Sequence, residues 1–478
     1  MKKTFISSAY IYPVCPLNLN HAKMFIVGDI IARHARKNER EVFFPIASHY
    51  SGNTAHYFAS IFTKFFFGKK LSEGEKNVVA LYKDTYKVPT SILKNFTQPL
   101  QILNFFNREI LWELKSLGVS GDYNHFYTTK HADFSIFINT IVKLYERHNF
   151  TVRNKKGELA LNYDDSTRKK EMLDLLERTE FIQSFHKNNV LSASKNIRND
   201  WGLLREDGFG VKYSGGWIID PMFDSELFTV FDLYIRFKKK YRDKLAGSKK
   251  FFEKLFGVLS GKIKSDNKLI RAIAKWMPCD VFVCEEHLKN WIVKKLFAES
   301  LLLDKKYQTK KYFVLGMGLL NGKRMSASRG NAILARDLIN NYGSIKARLI
   351  IILGGGHPSK TYKYDQTLSE QANKMLGAFS NYYTLLISLI NGEIQSADFE
   401  KKVISQKQLI DVVEAAIQRG YYRQAVIALL SVFPEKYSIP TKKTASILIL
   451  IYKRYLDILL PGLLETFKEN EEISNETL

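Results

Sequence analysis

Cysteine is scarce in this chain: three residues, Cys15, Cys279 and Cys284, among 478. Their spacing suits neither a paired-cysteine zinc site nor a disulfide framework, so they are expected as thiols packed like small apolar groups. Long apolar runs are also missing. The stretch 447–452 is among the longest and falls far short of the ~20 residues of a membrane span. Lys2 and Lys3 are not followed by an apolar run with a small-residue cleavage signal, so no secretory peptide is expected. These absences predict a soluble cytoplasmic protein with no membrane partner. Acid is the other shortage, with 48 Asp plus Glu against 72 Lys plus Arg and a net charge of +24. With 13% aromatics in a well-folding composition, that excess suggests a polyanionic partner, RNA or an acidic surface. A basic surface that only aids solubility is the other reading.

The chain is long enough for two or three cores. Residues 4–12 read as a buried strand ended by Pro13 and Pro16. From 23 to 36, Met24, Val27, Ile30 and Ile31 recur at helical spacing opposite Asp29, Arg33 and Arg36. Strand, tight turn and helix follow, with the free N–H groups of the helix start forming a phosphate site. Asn18, Asn20 and His21 fall in that turn, where their side chains can donate to a nucleotide. Further helices are expected over 55–67, 134–147, 168–178 and 338–353. Asp122 and Thr128 are expected to cap the second of these. Residues 280–291 read as a strand followed by a helix. The basic run 238–254 reads either as a solvated helix face or as an RNA contact. Amphipathic helices over 367–390, 406–418, 421–432 and 444–460, joined by short connections, suggest a bundle. The acidic tail is expected to be disordered.

Two stretches, Tyr12-Pro-x-x-Pro-Leu-Asn18-Leu-Asn20-His21-Ala22 and Phe43-Phe-Pro-Ile-Ala-Ser-His49-Tyr-Ser-Gly-Asn-Thr54, resemble the start of class I aminoacyl-tRNA synthetases. The likeness is closest to leucyl-tRNA synthetases of the archaeal and eukaryotic cytosolic type. Where that family has His-x-Gly-His, Asn18 stands for the first His, Asn20 for the Gly, and His21 is kept. Residues 315–331 resemble the family's Lys-Met-Ser-Lys-Ser loop: Arg324 takes the first lysine's place beside Lys323, Met325, Ser326 and Ser328 match, and Ala327 replaces the second lysine. Asp224 and Ser225 match the family's amino-acid pocket segment, from which Phe223 and Glu226 depart. Glu286, with His287, falls on an ATP-ribose position where Cys284 replaces a glycine.

The resemblance implies an α/β fold: a Rossmann-like nucleotide-binding parallel sheet split by insertions, then an all-α helical bundle. Its expected parts are a first catalytic half with a helical insertion (1–150), a short connective segment in place of an editing domain (151–198), a second half ending in the lysine-loop region (199–345), a tRNA-binding bundle (346–465) and a disordered tail (466–478). It implies ATP-dependent activation of leucine or a similar amino acid and transfer to tRNA, without editing, by a monomer. Asn18, His21, Arg324 and Ser326 would be catalytic. Asn20, Glu286, Lys323, Met325 and Ser328 would hold ATP, Mg2+ would accompany it without protein ligands, and Tyr12, His49, Asp224 and Ser225 would hold the amino acid. Two other readings stay open: an adenylating ligase with a non-tRNA acceptor, and an inactive RNA-binding paralogue.

Overall fold

A computed structural model describes residues 2–199, 201–327, 330–364, 367–395, 406–431 and 440–467. Apolar β-branched and aromatic runs form the strands of its central sheet: β1 (Lys3–Ser8), β2 (Glu41–Phe43), and, after the short parallel pair β3 (Pro45–Ser48) and β4 (Asp122–Thr128) and the hairpin β5 (Thr151–Arg153) and β6 (Leu159–Leu161), the edge strand β7 (Glu180–Phe181). The two-residue strands β8 (Leu204–Arg205) and β9 (Ile218–Ile219) pair apart from it, and β10 (Val281–Glu285) and β11 (Lys311–Leu315) complete the sheet. The order is β2-β1-β10-β11-β7, every pairing parallel. The central strands β1, β10 and β11 are almost wholly buried, as a parallel sheet covered on both faces requires.

The helix α1 (Leu19–Lys37) crosses from β1 to β2. Asn18 caps it, its Oδ1 accepting from the His21 N–H at 2.9 Å, and His34, Arg36 and Lys37 in the last turn suit the negative end of the helix dipole. Asn20 and His21 are therefore in the first helical turn, not in a loop before it. The connection 9–18 is long because β1 ends at Ser8, well before Pro13 and Pro16.

Residues 53–116 are a helical insertion beginning with α2 (Asn53–Phe66). Its core is aromatic: Phe58, Phe62, Phe96 and Phe106 ring Tyr82, mostly edge to face. Asp122 and Thr128 form the ends of β4 and cap nothing. The helix Ala132–Arg147 is capped instead by His131, whose Nδ1 accepts from the Asp133 N–H, while Asp122 pairs with His125 at 2.8 Å. The segment 151–198, expected as a short connective segment with one helix over 168–178, supplies β7 and two helices, Ser166–Arg178 and Ser184–Asn196. Pairing of β7 with β11 closes that edge of the sheet.

The described C-terminal helices are Thr367–Asn391, Gln406–Gln418, Tyr422–Leu430 and Lys442–Leu459, close to the bounds expected from periodicity. Val432 and the tail beyond Phe467 lie outside the described residues. Buried Arg348 joins this region to the sheet. It donates to the Leu459 and Leu117 carbonyls, both at 2.8 Å, and to Asp29 of α1 at 2.8 Å. Cys279 and Cys284 are buried, Cys15 partly so, and all three are unpaired thiols.

Candidate active site

In an open parallel sheet, ligands bind beyond the carboxyl ends of the strands where the order reverses. Here that point is β1, whose chain continues to β2 on one side while β10 lies on the other. A cleft of about 400 Å3 opens there. One wall comes from the β1–α1 connection and the first turn of α1 (Tyr12, Asn18, Asn20, His21), one from the end of β10 (Glu285, His287), and one from the loop carrying Arg324 to Ala327.

Glu285 occupies the centre of this arrangement. Its Oε1 lies 3.8 Å from His21 Nε2 and its Oε2 3.0 Å from His287 Nδ1. Burial pushes its carboxyl upward, but His21, His287 and Arg324 outweigh that and hold it below the usual carboxylate range. Burial lowers His21 in turn, against the pull of Glu285. Glu286, expected as the ribose acceptor, sits half-buried on the turn Glu286–Leu288, off the cleft lining, where its charge acts on His186. The two adjacent acids cannot be told apart by composition. The strand decides, because Glu285 is its last residue and emerges at the switch point.

The first turn of α1 is less open to a phosphate than its sequence suggests. The Leu19 N–H donates to the Ile333 carbonyl at 2.9 Å, and the His21 N–H is taken by Asn18. Asn20 does not face a ligand as a free donor and acceptor. Its Oδ1 accepts from the Gly318 N–H at 3.0 Å and the Tyr362 hydroxyl at 2.9 Å. A Cβ at Gly318 would fall 2.5 Å from that oxygen, so the glycine permits the contact. Lys23, one turn further, is buried above the Tyr362 ring at 3.9 Å and donates to the Gly354 carbonyl at 2.7 Å. Burial, then the nearby Arg423, pulls its ammonium down to about 7.

Strands β12 (Gly318–Leu320) and β13 (Lys323–Arg324), with β14 (Tyr362–Lys363), carry the basic loop. Lys323 and Arg324 are exposed and Met325 is buried. Ser326 exchanges backbone hydrogen bonds with Asn331 at 2.8 and 3.2 Å. Ala327 is buried in the aromatic core of the insertion, and the Tyr86 hydroxyl donates to its carbonyl. Ser328 and Arg329 lie outside the described residues.

Of the residues expected to hold the amino acid, Tyr12 has its hydroxyl engaged: it accepts from the Ala55 N–H and donates to the Gly52 carbonyl, both at 2.8 Å, so it tethers the start of α2. Burial pushes it up to about 12. His49 Nε2 meets Asp224 Oδ1 at 2.6 Å, with its ring 6.4 Å from that of Tyr12. Asp224 is fully buried and its Oδ2 has no partner among the described residues. Ser225 is committed to structure, accepting from Trp291 Nε1 at 2.9 Å and donating to the Pro221 carbonyl at 2.9 Å.

The parallel sheet with its switch-point cleft, followed by helices, is the fold of a class I aminoacyl-tRNA synthetase. The fold matches methionyl-tRNA synthetase of Mycobacterium tuberculosis, solved with methionyl-adenylate, at a TM-score of 0.64 and 15% identity over 98% of this chain and 93% of that one. In sequence the chain is similar to leucine–tRNA ligase 2 of Sulfolobus acidocaldarius, 31% identical over 153 residues, and to leucine–tRNA ligase of Methanopyrus kandleri, 32% identical over 137. These matches cover 32% and 29% of this chain and only 15% and 14% of the relatives. No family model matches the chain. The sequence likeness is thus to leucine–tRNA ligases over about a third of this chain, and the likeness to the solved synthetase is one of fold. Among the described residues, no helix is long and apolar enough to cross a membrane.

Proposed function

We propose that this chain activates leucine or a similar amino acid with ATP and transfers it to tRNA in the cytoplasm, without an editing step. The observation that carries this reading is the convergence of His21, Glu285 and Arg324 on one cleft at the switch point of a synthetase-type sheet. In the adenylation step a carboxylate oxygen of the amino acid attacks the α-phosphorus of ATP in line. The α–β bridging bond breaks and pyrophosphate leaves with its electron pair. The protein does little covalent work, so the rate depends on positioning and on charge placed where it develops.

In this reading Arg324 and Lys323 neutralise the departing pyrophosphate, with Mg2+ brought by the nucleotide. His21 donates to the phosphates from the positive end of α1. Glu285 accepts from the ribose hydroxyls, in place of the expected Glu286. The unpartnered Oδ2 of Asp224 takes the α-ammonium, which demands an opposite charge once desolvated. Absence of an editing unit is supported by the 151–198 segment, whose strand and helices are spent on the catalytic sheet. Since a hydrophobic pocket discriminates one methylene only about 10- to 200-fold, such an enzyme tolerates errors or reads a distinctive side chain.

The packing of Ala327 and the bracing role of Asn20 favour a second reading, a paralogue that keeps the fold and binds RNA without adenylation. Amino-acid-dependent ATP/pyrophosphate exchange, run with each amino acid and with and without tRNA, separates the two. Exchange with leucine or a near relative, together with tRNA charging, is the expected result. Exchange without charging moves the acceptor to a carrier or small molecule, and no exchange from folded protein overturns the enzymatic reading.

A further inference from the structure

A groove larger than the cleft lies elsewhere on the molecule. It lies against the helices Lys249–Leu259 and Lys268–Trp276, with a volume of about 1240 Å3. Six cations line it, Lys254, Lys264, Lys268, Arg271, Lys275 and Lys306, against a single acid, Asp266. None of the six is ion-paired among the described residues. By contrast, two lysines of the basic run 238–254 are spent within the fold: Lys238 pairs with Asp133 at 2.9 Å and Lys249 lies 3.8 Å from Glu253.

The second helix shows how the sequence builds this surface. Leu269, Ile270, Ile273 and Trp276 are buried, which turns Lys268, Arg271 and Lys275 into one exposed stripe at spacings of three and four. Like charges held side by side without counter-charges repel one another, and a polyanion relieves that cost while releasing its own counterions. Tyr241 and Tyr307 also line the groove, and Tyr307 carries Lys306 over its ring at 4.9 Å. Aromatic faces among cations suit stacked bases along a phosphate backbone, an arrangement that acidic proteins and lipid headgroups do not call for.

Topology sets this groove apart from the cleft. The helix Lys268–Trp276 leads into the start of β10, and Lys306 and Tyr307 precede the start of β11, whereas Glu285 is at the carboxyl end of β10. The two sites therefore face opposite ends of the same strands.

We propose that this groove is an RNA-binding surface, separate from the adenylation cleft, that holds a phosphodiester backbone on the six cations with bases against Tyr241 and Tyr307. It does not depend on the chain being an active synthetase. The test measures fluorescence anisotropy of a labelled oligouridylate with the full chain, over a range of salt concentrations. The variant Lys268→Ala/Arg271→Ala/Lys275→Ala is compared with Lys69→Ala/Lys70→Ala/Lys83→Ala, an equal charge change on the helical insertion, both checked for unchanged melting. The groove variant is expected to bind about tenfold or more weakly, with a log–log salt slope shallower by about 2, from three contacts at ~0.7 each. The insertion variant is expected to bind like the parent. Equal losses in both variants, or no loss in the groove variant, overturn the proposal. So does groove-dependent binding to phosphatidylserine vesicles with RNA binding untouched.

Discussion

At the scale of single residues, the cleft is governed by Glu285 standing between two imidazoles. Glu285 favours the charged form of His21, so Glu285→Gln is expected to move the His21 titration, followed by NMR, to lower pH. A shift upward, or none, would show that the carboxylate does not act on this ring. The sign for stability follows from both groups. His21 is held below its ordinary value of about 6.5, so the folded state resists its protonation and stability falls as pH drops through that window. Glu285, held below the ordinary carboxylate value, contributes stability above it that is lost on further acidification. His21→Ala is expected to slow pyrophosphate exchange about 100- to 1000-fold, the loss typical of one transition-state donor. Asp224→Asn is expected to raise the KM for the amino acid about 10- to 100-fold, the worth of a charged hydrogen bond, with little change for ATP. Equal effects on both substrates would argue that Asp224 only positions His49.

At the scale of elements, the described residues 315–327 and 330–334 are seated against the rest of the fold. Tyr86 and the aromatic insertion grip Ala327, and Asn20 braces Gly318. Lysine at 327 therefore does not simply restore a family motif. Ala327→Lys is expected to destabilise the protein by about 3 kcal/mol or more, because an ammonium replaces a buried methyl in an apolar cluster, and to leave exchange no faster. Unchanged melting with faster exchange would refute this. Helix periods were legible in the residues themselves, as the match of 406–418 to Gln406–Gln418 illustrates. The assignment of Asp122 and Thr128 to a helix cap failed because strand pairing with Pro45–Ser48 claimed them. Pairing partners tens of residues apart leave no local mark.

At the scale of the whole molecule, three regions meet at one ion cluster. Arg348 reaches Asp29 on α1, Arg33 joins the same carboxylate at 3.0 Å, and carbonyls from the end of the insertion and of the last described helix complete the shell. Burial raises Asp29, but Arg348, Arg33 and Ser120 more than compensate and its carboxyl stays below the ordinary range. Its contribution is present above the unfolded carboxylate value and is lost as pH falls through the lowered one. Arg348→Met leaves buried Asp29 with Arg33 and Ser120 but without its buried cation and is expected to cost about 3–5 kcal/mol by denaturant unfolding. The double change Asp29→Leu/Arg348→Met is expected to recover part of this. Additive losses would show that the pair is not coupled.

Periodicity determined on its own the first strand and helix and the C-terminal helices, and the residues of two motif stretches carried the resemblance to leucyl-type synthetases that implied the α/β-then-helical order. Those signals are local, set by neighbours within one or two turns. Tertiary structure alone decided which of Glu285 and Glu286 meets the cleft, that the N–H groups opening α1 are partly occupied, and that Asn20 is a brace. The partners of Asn20 lie 298 and 342 residues away in the chain, a separation across which no pattern in the sequence specifies contact.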